Sequence, residues 1–435
     1  MDPIWIGVIG IAVILAMIAA RVPIGLALGS VAIFGVAEIV GWTAAWGMIG
    51  TMPFDFAAHW SLSAIPMFLL MGTIAFYSGM TNSLYHAARL WLGFLPGGLA
   101  VATNFACAGF AAASGSSLAT TVAMGRIAIP EMQRYKYDPG LATGVCACSG
   151  TLGILIPPSI LMVIYGIFAE QSIARLFVAG ILPGLLTAAL YTVMIVTRCK
   201  LNPDLAPPFT EEVTRAEKIA ALRDIWPLPV LILGVMGGIY TGVASPTEAG
   251  ALGAFIALVI ALLQRRMTWR IFKTSVEEAI ESTATIFFVA VGAILLTKFM
   301  ALSGLPAFLA EAMVDWALDP LLLVIGASII FLVLGMFLDP LGLLLLTLPV
   351  LLPLFEELNL DLIWFGILVT KYVEIGLMTP PVGLNVYAVK TVVGSDIRLE
   401  TIFKGVLWFL ATEVVVMTLL IAFPEISLFL PSLMD

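Results

Sequence analysis

Four short stretches carry most of the chain's polar chemistry, and all four lie in strongly apolar surroundings. "AASGSSLAT" (Ala112 to Thr120) sets the hydroxyls of Ser114, Ser116, Ser117 and Thr120 around Gly115. "GMFLDPLG" (Gly335 to Gly342) places a carboxylate, Asp339, directly before Pro340. "GTLGILIPPSI" (Gly150 to Ile160) and "VEIGLMTPPVG" (Val373 to Gly383) each interrupt an apolar run with two consecutive prolines. Gly150, Thr151, Gly153 and Ser159 surround the first break; Glu374, Gly376, Thr379, Gly383 and Asn385 surround the second. Carbonyls freed by such breaks, with Ser and Thr hydroxyls, suit a hard cation such as Na+ or Li+. Half-helix N-termini offer unpaired N–H groups to an anion.

Each feature also has a plainer use. Small residues pack helices closely, and Asp followed by Pro is an ordinary helix start. Lys371 and Glu374, three apart, are spaced to pair on one helix face. Lys298 and Glu248 lie in or near apolar segments with no obvious sequence partner. The sequence holds no nucleotide loop, HExxH or helix with paired catalytic His or Asp, so an enzyme is not indicated.

The elements that position these residues follow from composition. Of 435 residues, 61% are hydrophobic and 11% charged, with a mean hydropathy of +1.10. Soluble domains carry about 25% charged residues, so the chain reads as an all-α polytopic membrane protein. Apolar segments of roughly 20 residues, enough to span a bilayer, recur throughout. The net charge of -8 says little, because the position of charges matters more than their sum. Cys107, Cys146, Cys148 and Cys199 fall in or beside apolar segments and read as buried free thiols. No basic residue precedes the first segment, Ile4 to Ala20, which reads as a retained helix with its N-terminus outside.

The chain also repeats. A shift of 223 positions carries Pro23 onto Pro246, Pro130 onto Pro353, Asp138 onto Asp361 and Pro157-Pro158 onto Pro380-Pro381. This divides the chain into 1–197 and 226–435, joined by a polar cytoplasmic linker, 198–225. Basic residues set the relative orientation. "EMQRYKYD" in the first half corresponds to the acidic "LFEELNLD" in the second. "QRRMTWR" in the second corresponds to the uncharged, loop-like "VGWTAAW" in the first. Equivalent positions face opposite sides, so the repeats read as inverted.

Five crossings per half are expected, near 4–20, 24–41, 61–79, 141–168 and 177–197, then 226–242, 248–264, 283–301, 362–390 and 405–423. A re-entrant hairpin is expected in each half, about 99–128 and 320–353, with tips at the first two stretches quoted. The spans 141–168 and 362–390 are the broken helices. "GTMPFDFAAHW" and "RIFKTSVEEAIES" read as interfacial amphipathic helices linking second to third spans. Both termini are then outside, with every basic residue cytoplasmic except Arg175, Lys298 and Lys371. Non-helical backbone at membrane depth must be buried in protein or line a wet cavity, so tips and breaks are expected to meet.

With those residues placed, the sequence resembles the large membrane subunit (M, or DctM-type) of the tripartite ATP-independent periplasmic (TRAP) transporters. "RVPIGLALG", "AASGSSLAT", "GTLGILIPPSI", "GMFLDPLGLLLLTLPVLLP" and "GLMTPPVGLNVYAVK" carry the resemblance, in order and spacing, over the whole chain. It implies a bacterial inner-membrane secondary transporter that takes up an organic acid, commonly a carboxylate or sulfonate, with Na+. The implied partners are a periplasmic substrate-binding protein, a small four-helix Q subunit on a separate chain, and membrane lipid; no nucleic acid is involved. It further implies an elevator, in which hairpins and broken helices slide against a scaffold of helices one, two and the last of each half.

Carried onto this chain, the resemblance places one Na+ among Ser114, Ser116, Gly150, Gly153 and Pro157. Another falls among Gly335, Asp339, Met378 and Thr379, and substrate falls near Ser117, Thr120, Ser159 and Asn385. A stand-alone Na+/anion symporter of the wider ion-transporter superfamily, and a channel, are the competing readings.

Overall fold

A computed structural model describes residues 2–207, 213–315 and 320–434. Positions 208–212 of the expected linker lie outside the described residues, and no β-strand occurs among those described. The first half begins with α1 (Pro3–Ala19), α2 (Ile24–Ile39), α3 (Trp42–Ala57), α4 (Ala64–Tyr77) and α5 (Met80–Leu92). A two-armed hairpin, α6 (Gly98–Ser114) and α7 (Ser117–Arg134), comes next. The proline-broken segment is α8 (Pro139–Ser149), α9 (Leu152–Leu155) and α10 (Ile160–Phe168), and the long α11 (Ile173–Leu201) ends the half. After α12 (Arg215–Asp224) come α13 (Pro227–Tyr240), α14 (Pro246–Leu263), α15 (Trp269–Ser303) and α16 (Leu305–Asp315). A second hairpin, α17 (Pro320–Gly335) and α18 (Pro340–Glu357), precedes the broken α19 (Leu362–Met378) and α20 (Leu384–Val393), and α21 (Leu399–Ala422) follows.

Local chemistry sets many of the helix starts. Side chains of Ser116, Asp138, Ser159, Ser245, Thr268, Asp339 and Asp361 each accept a backbone N–H in the first turn of the helix they precede. An N-terminal cap of this kind satisfies one of the donors a helix leaves unpaired. The breaks fall at the paired prolines, which lack an N–H and restrict the residue before them. Both Pro157-Pro158 and Pro380-Pro381 peptide bonds are cis. The four cysteines are free and buried, as expected.

Six described helices are long and apolar enough to cross a membrane, and two bent pairs raise this to eight. Ten crossings are expected from the apolar segments. The shortfall includes α1 and α2, at 17 and 16 residues, which fall at the lower limit for a spanning helix.

Two local expectations are corrected. The segment "RIFKTSVEEAIES" is no separate interfacial helix but the first part of the unbroken 35-residue α15. It holds no proline, and Thr268 caps its start, so nothing ends the helix where its charges stop. "VGWTAAW" is largely helical as well, since α3 starts at Trp42 and runs on to Ala57, taking in most of "GTMPFDFAAHW".

Packing decides which helices lie together. α15 lies on α2 and α4. The last helix of each half is fastened to the hairpin and broken helices rather than standing with α1 and α2. Asn104 on α6 donates to the Ala188 carbonyl (2.8 Å) and to Thr192 Oγ1 (3.1 Å) on α11. Trp364 Nε1 on α19 donates to the Leu420 carbonyl on α21 at 2.9 Å. Breaking buried polar bonds leaves unsatisfied groups in a dry interior, so these bonds fasten α11 to the first hairpin and α21 to the second broken helix.

Candidate functional site

The first tip is built by a helix end and a helix start that share two residues. α6 stops because Gly115 adopts a left-handed conformation, φ +59°, which costs glycine little. Ser116 then caps α7, accepting the Ala119 N–H at 3.4 Å. Ser114 Oγ and Thr120 Oγ1 are 2.8 Å apart, and Thr120 Oγ1 also donates to the Ser116 carbonyl at 2.8 Å. Gly153, in the first break, lies so close that a Cβ there would sit 2.6 Å from the Ser116 carbonyl oxygen. Ser159 caps α10, accepting the Met162 N–H at 3.3 Å while donating to the Ile154 carbonyl at 2.5 Å.

The second tip meets its break in the same way. A Cβ on Gly376 would sit 2.7 Å from the Gly335 Cα. At the end of α19, Thr379 Oγ1 donates to the Ile375 carbonyl at 2.5 Å. The Thr379 N–H reaches back to the Gly376 carbonyl at 3.2 Å. Asp339 caps α18 with one oxygen that accepts the Leu341 and Gly342 N–H groups, both at 3.2 Å.

Between the tips lies a cleft of about 370 Å³. Ser116, Ser117 and Leu118 border it from the first tip, Asp339, Pro340 and Leu341 from the second, and Ile160 and Leu161 from the start of α10. The caps use the Ala119 and Met162 N–H groups. Those of Ser117, Leu118, Ile160 and Leu161 have no partner among the described residues. Two helix N-termini thus open on one cleft, an arrangement that attracts an anion through both the free donors and the helix dipole.

The remaining wall is not among the site residues expected from the sequence. Glu281, Ser282, Thr285 and Ile286 of α15 face the tips across the cleft. Polar residues recurring at four-residue spacing, Glu278 with Ser282 and Glu281 with Thr285, are the signal that marked this stripe. Glu278 is used within the protein, accepting the Tyr77 hydroxyl at 2.6 Å.

The expected site residues divide into three groups. Ser116, Ser117 and Asp339 border the cleft. Ser114, Gly150, Gly153 and Pro157 lie at the first tip and break; Gly335, Met378 and Thr379 lie at the second. Thr120, Ser159 and Asn385 are fully buried and engaged inside the protein. Asn385 Nδ2 donates to Ser117 Oγ at 2.6 Å and to the Ala147 carbonyl at 3.1 Å, tying the second broken helix to the first tip.

Residues 11–426 match the family model of the tripartite ATP-independent periplasmic transporter, DctM component. The chain belongs to the DctM family. The C4-dicarboxylate TRAP transporter large permease protein DctM of Pseudomonas aeruginosa is 35% identical over 381 residues, covering 87% of this chain and 88% of that protein. The isethionate TRAP transporter permease protein DctMQ of Oleidesulfovibrio alaskensis is 31% identical over 424 residues, covering 94% of this chain and 64% of that protein. The fold resembles the crystal structure of the Alcanivorax borkumensis YdaH transporter, with a TM-score of 0.64 at 15% identity and 98% coverage of both chains. As a DctM component, the chain is a multi-span membrane protein of the large-permease type.

Proposed function

We propose that this DctM chain is the transport subunit of a TRAP system that imports an organic acid, a carboxylate or sulfonate, together with Na+. The observation that carries the reading is the pair of helix N-termini, α7 and α10, with free N–H groups on one cleft. They provide for the acid group without a basic side chain. The names of relatives, one for C4-dicarboxylates and one for isethionate, agree with an acid that is carboxylate or sulfonate.

In this reading Na+ sits at each meeting of tip and break. Ser114, Ser116, Gly150, Gly153 and Pro157 surround one ion, and Gly335, Asp339, Met378 and Thr379 surround the other. Main-chain carbonyls and hydroxyls supply hard oxygen ligands there. The chain comprises two inverted repeats, 1–197 and 226–435, in a bacterial inner membrane, with both termini periplasmic. Transport proceeds by an elevator in which the hairpins, broken helices, α11 and α21 move as one body. A small Q subunit and a periplasmic binding protein complete the system, and a relative whose name joins M to Q supports the first of these.

Reconstitution of the chain with those two partners in liposomes tests the proposal. Uptake should require the binding protein and an inward Na+ gradient. Uptake without the binding protein would leave a stand-alone symporter, and uptake indifferent to Na+ would leave a channel.

A further inference from the structure

Arg198 carries a charge that the protein itself does not answer. It lies in the last turn of α11, half-buried, with its guanidinium carbon 4.5 Å from the centre of the Trp408 ring on α21. Among the described residues it makes no ion pair, and its guanidinium finds no hydrogen-bond acceptor. Nη1 is closed off beneath the surface without a partner. The carboxylate whose charge acts on Arg198 is that of Asp138, but Asp138 is committed to capping α8, accepting the Leu141 N–H at 2.9 Å. A guanidinium that has shed part of its water and lacks an acceptor is costly in a membrane protein. The nitrogens that reach the surface are left to an acceptor outside the chain.

The position of the seam says what surrounds it. α11 and α21 have 29 and 24 residues, about 43 Å and 36 Å of helix, against a hydrocarbon core of about 30 Å. Their ends therefore stand among lipid headgroups. The rings of Tyr191 and Phe409, 4.9 Å apart and edge to face, hold the two helices together deeper in the span. The Arg198–Trp408 stack closes the same seam near the end of α11. One turn from Trp408 on the same face of α21, Lys404 is exposed and has no ion pair among the described residues. Leu407 and Trp408 are 54% and 52% exposed, and the Trp408 N–H has no partner among the described residues.

We propose that this seam binds the headgroup of an anionic phospholipid, its phosphate held by Arg198 and Lys404 and a further headgroup oxygen by the Trp408 N–H. A guanidinium meets phosphate oxygens with paired N–H groups, and an ammonium adds a second charge. An interfacial tryptophan offers its N–H to the polar layer while its ring lies in the apolar one. Basic pockets between spanning helices suit anionic headgroups in this way. Charge selects the lipid class: the ammonium of a zwitterionic headgroup would be repelled by two cations. Place selects a lipid over a free phosphate ion, because exposed Leu407 and Trp408 offer an apolar seat for an acyl chain beside the donors. α11 closes the first half of the chain and α21 belongs to the second, so the bound lipid would clip the two halves together at one end.

Native mass spectrometry of the full-length chain in detergent, titrated with phosphatidylglycerol or phosphatidylcholine, tests this without any transport measurement. The wild type should take its first phosphatidylglycerol more tightly than phosphatidylcholine. Arg198→Gln and Lys404→Gln should each weaken that first phosphatidylglycerol about five-fold, the effect of one basic residue on an anionic headgroup, and leave phosphatidylcholine unchanged. Lys273→Gln, which removes an exposed charge from α15, should leave both lipids unchanged. If Arg198→Gln fails to fold, Lys404→Gln carries the test alone. Equal affinity for the two lipids overturns the proposal, as does an equal loss in Lys273→Gln. Displacement of the lipid by millimolar inorganic phosphate also overturns it, since the seam would then be a site for a free anion.

Discussion

Gly153 and Ser116 touch main chain to main chain: a single Cβ on the glycine would come within 2.6 Å of the serine carbonyl oxygen. That contact brings the first hairpin tip onto the first break. Gly153→Ala must push the tip away, and overpacking of this kind costs about 1–3 kcal/mol. Thermal unfolding should register that loss. The Na+ concentration for half-maximal uptake should rise with it, and an unchanged Na+ titration would remove Gly153 from the proposed ion site.

Gly376→Ala is the matching test at the second break, where the added methyl would meet the Gly335 Cα at 2.7 Å. We expect a destabilisation of similar size, about 1–3 kcal/mol. Paired with Gly153→Ala, its effect on unfolding should be additive, because the two contacts share no partner. Strong non-additivity would mean that the two tips behave as one unit.

Asp339 serves both as a cap and as a charge, and two substitutions separate these uses. Asp339→Ala should cost about 1 kcal/mol through loss of the cap. Asp339→Asn retains a capping oxygen and should keep most of that stability. If Asn nevertheless raises the Na+ requirement for uptake, the charge contributes to ion binding; if it behaves as wild type, the residue only starts α18.

Glu281 is an exposed residue on the wall of the cleft, and the loss of its charge should not disturb the fold. In a water-like dielectric its repulsion of an anion a few Å away is about 1 kcal/mol. Glu281→Gln should therefore lower the KM for an anionic substrate about five-fold. A raised KM would instead identify a cationic group on the solute.

Outside the membrane, Glu217 accepts the Thr214 N–H at 2.8 Å and its hydroxyl at 2.9 Å. The N–H bond, then the hydroxyl bond, hold its carboxyl below the ordinary carboxylate range. A depressed value means that the stabilisation is complete above the ordinary range and is lost as pH falls through Glu217's own lower value. Hydrogen exchange at the first turn of α12 should accelerate on acidification. Glu217→Gln should remove most of that pH dependence.

Much of the candidate site was legible because helix ends are local events. Ser116, Ser159 and Asp339 announce themselves by residue type and by their immediate neighbours in the chain, and the paired prolines announce the breaks. Glu281 and Glu413 were not legible in this way. Each is one carboxylate among several charges on its helix, and its meaning depends on packing against elements far along the chain. The spacing of Lys371 and Glu374 shows a pair, but the second carboxyl that Lys371 meets, Glu413 at 2.9 Å, arrives from α21. The continuity of α15 is hidden by its change from polar to apolar composition, which suggests a boundary although no residue there can end a helix.

The length of α15 has a geometrical consequence. Thirty-five residues make a rod of about 52 Å, against a hydrocarbon core of about 30 Å. Even tilted by about 40°, the upper end of what is seen in membranes, it would extend roughly 40 Å along the bilayer normal. One end must stand in the headgroups or beyond. The end bearing Glu277, Glu278 and Glu281 is the one suited to do so, since Glu281 lies about 33 Å of helix from Ser303. The cleft that Glu281 borders then sits close to one face of the bilayer, a short step from water on that side. To receive cargo from the opposite side, the tips would have to travel along α15 for most of the membrane's thickness.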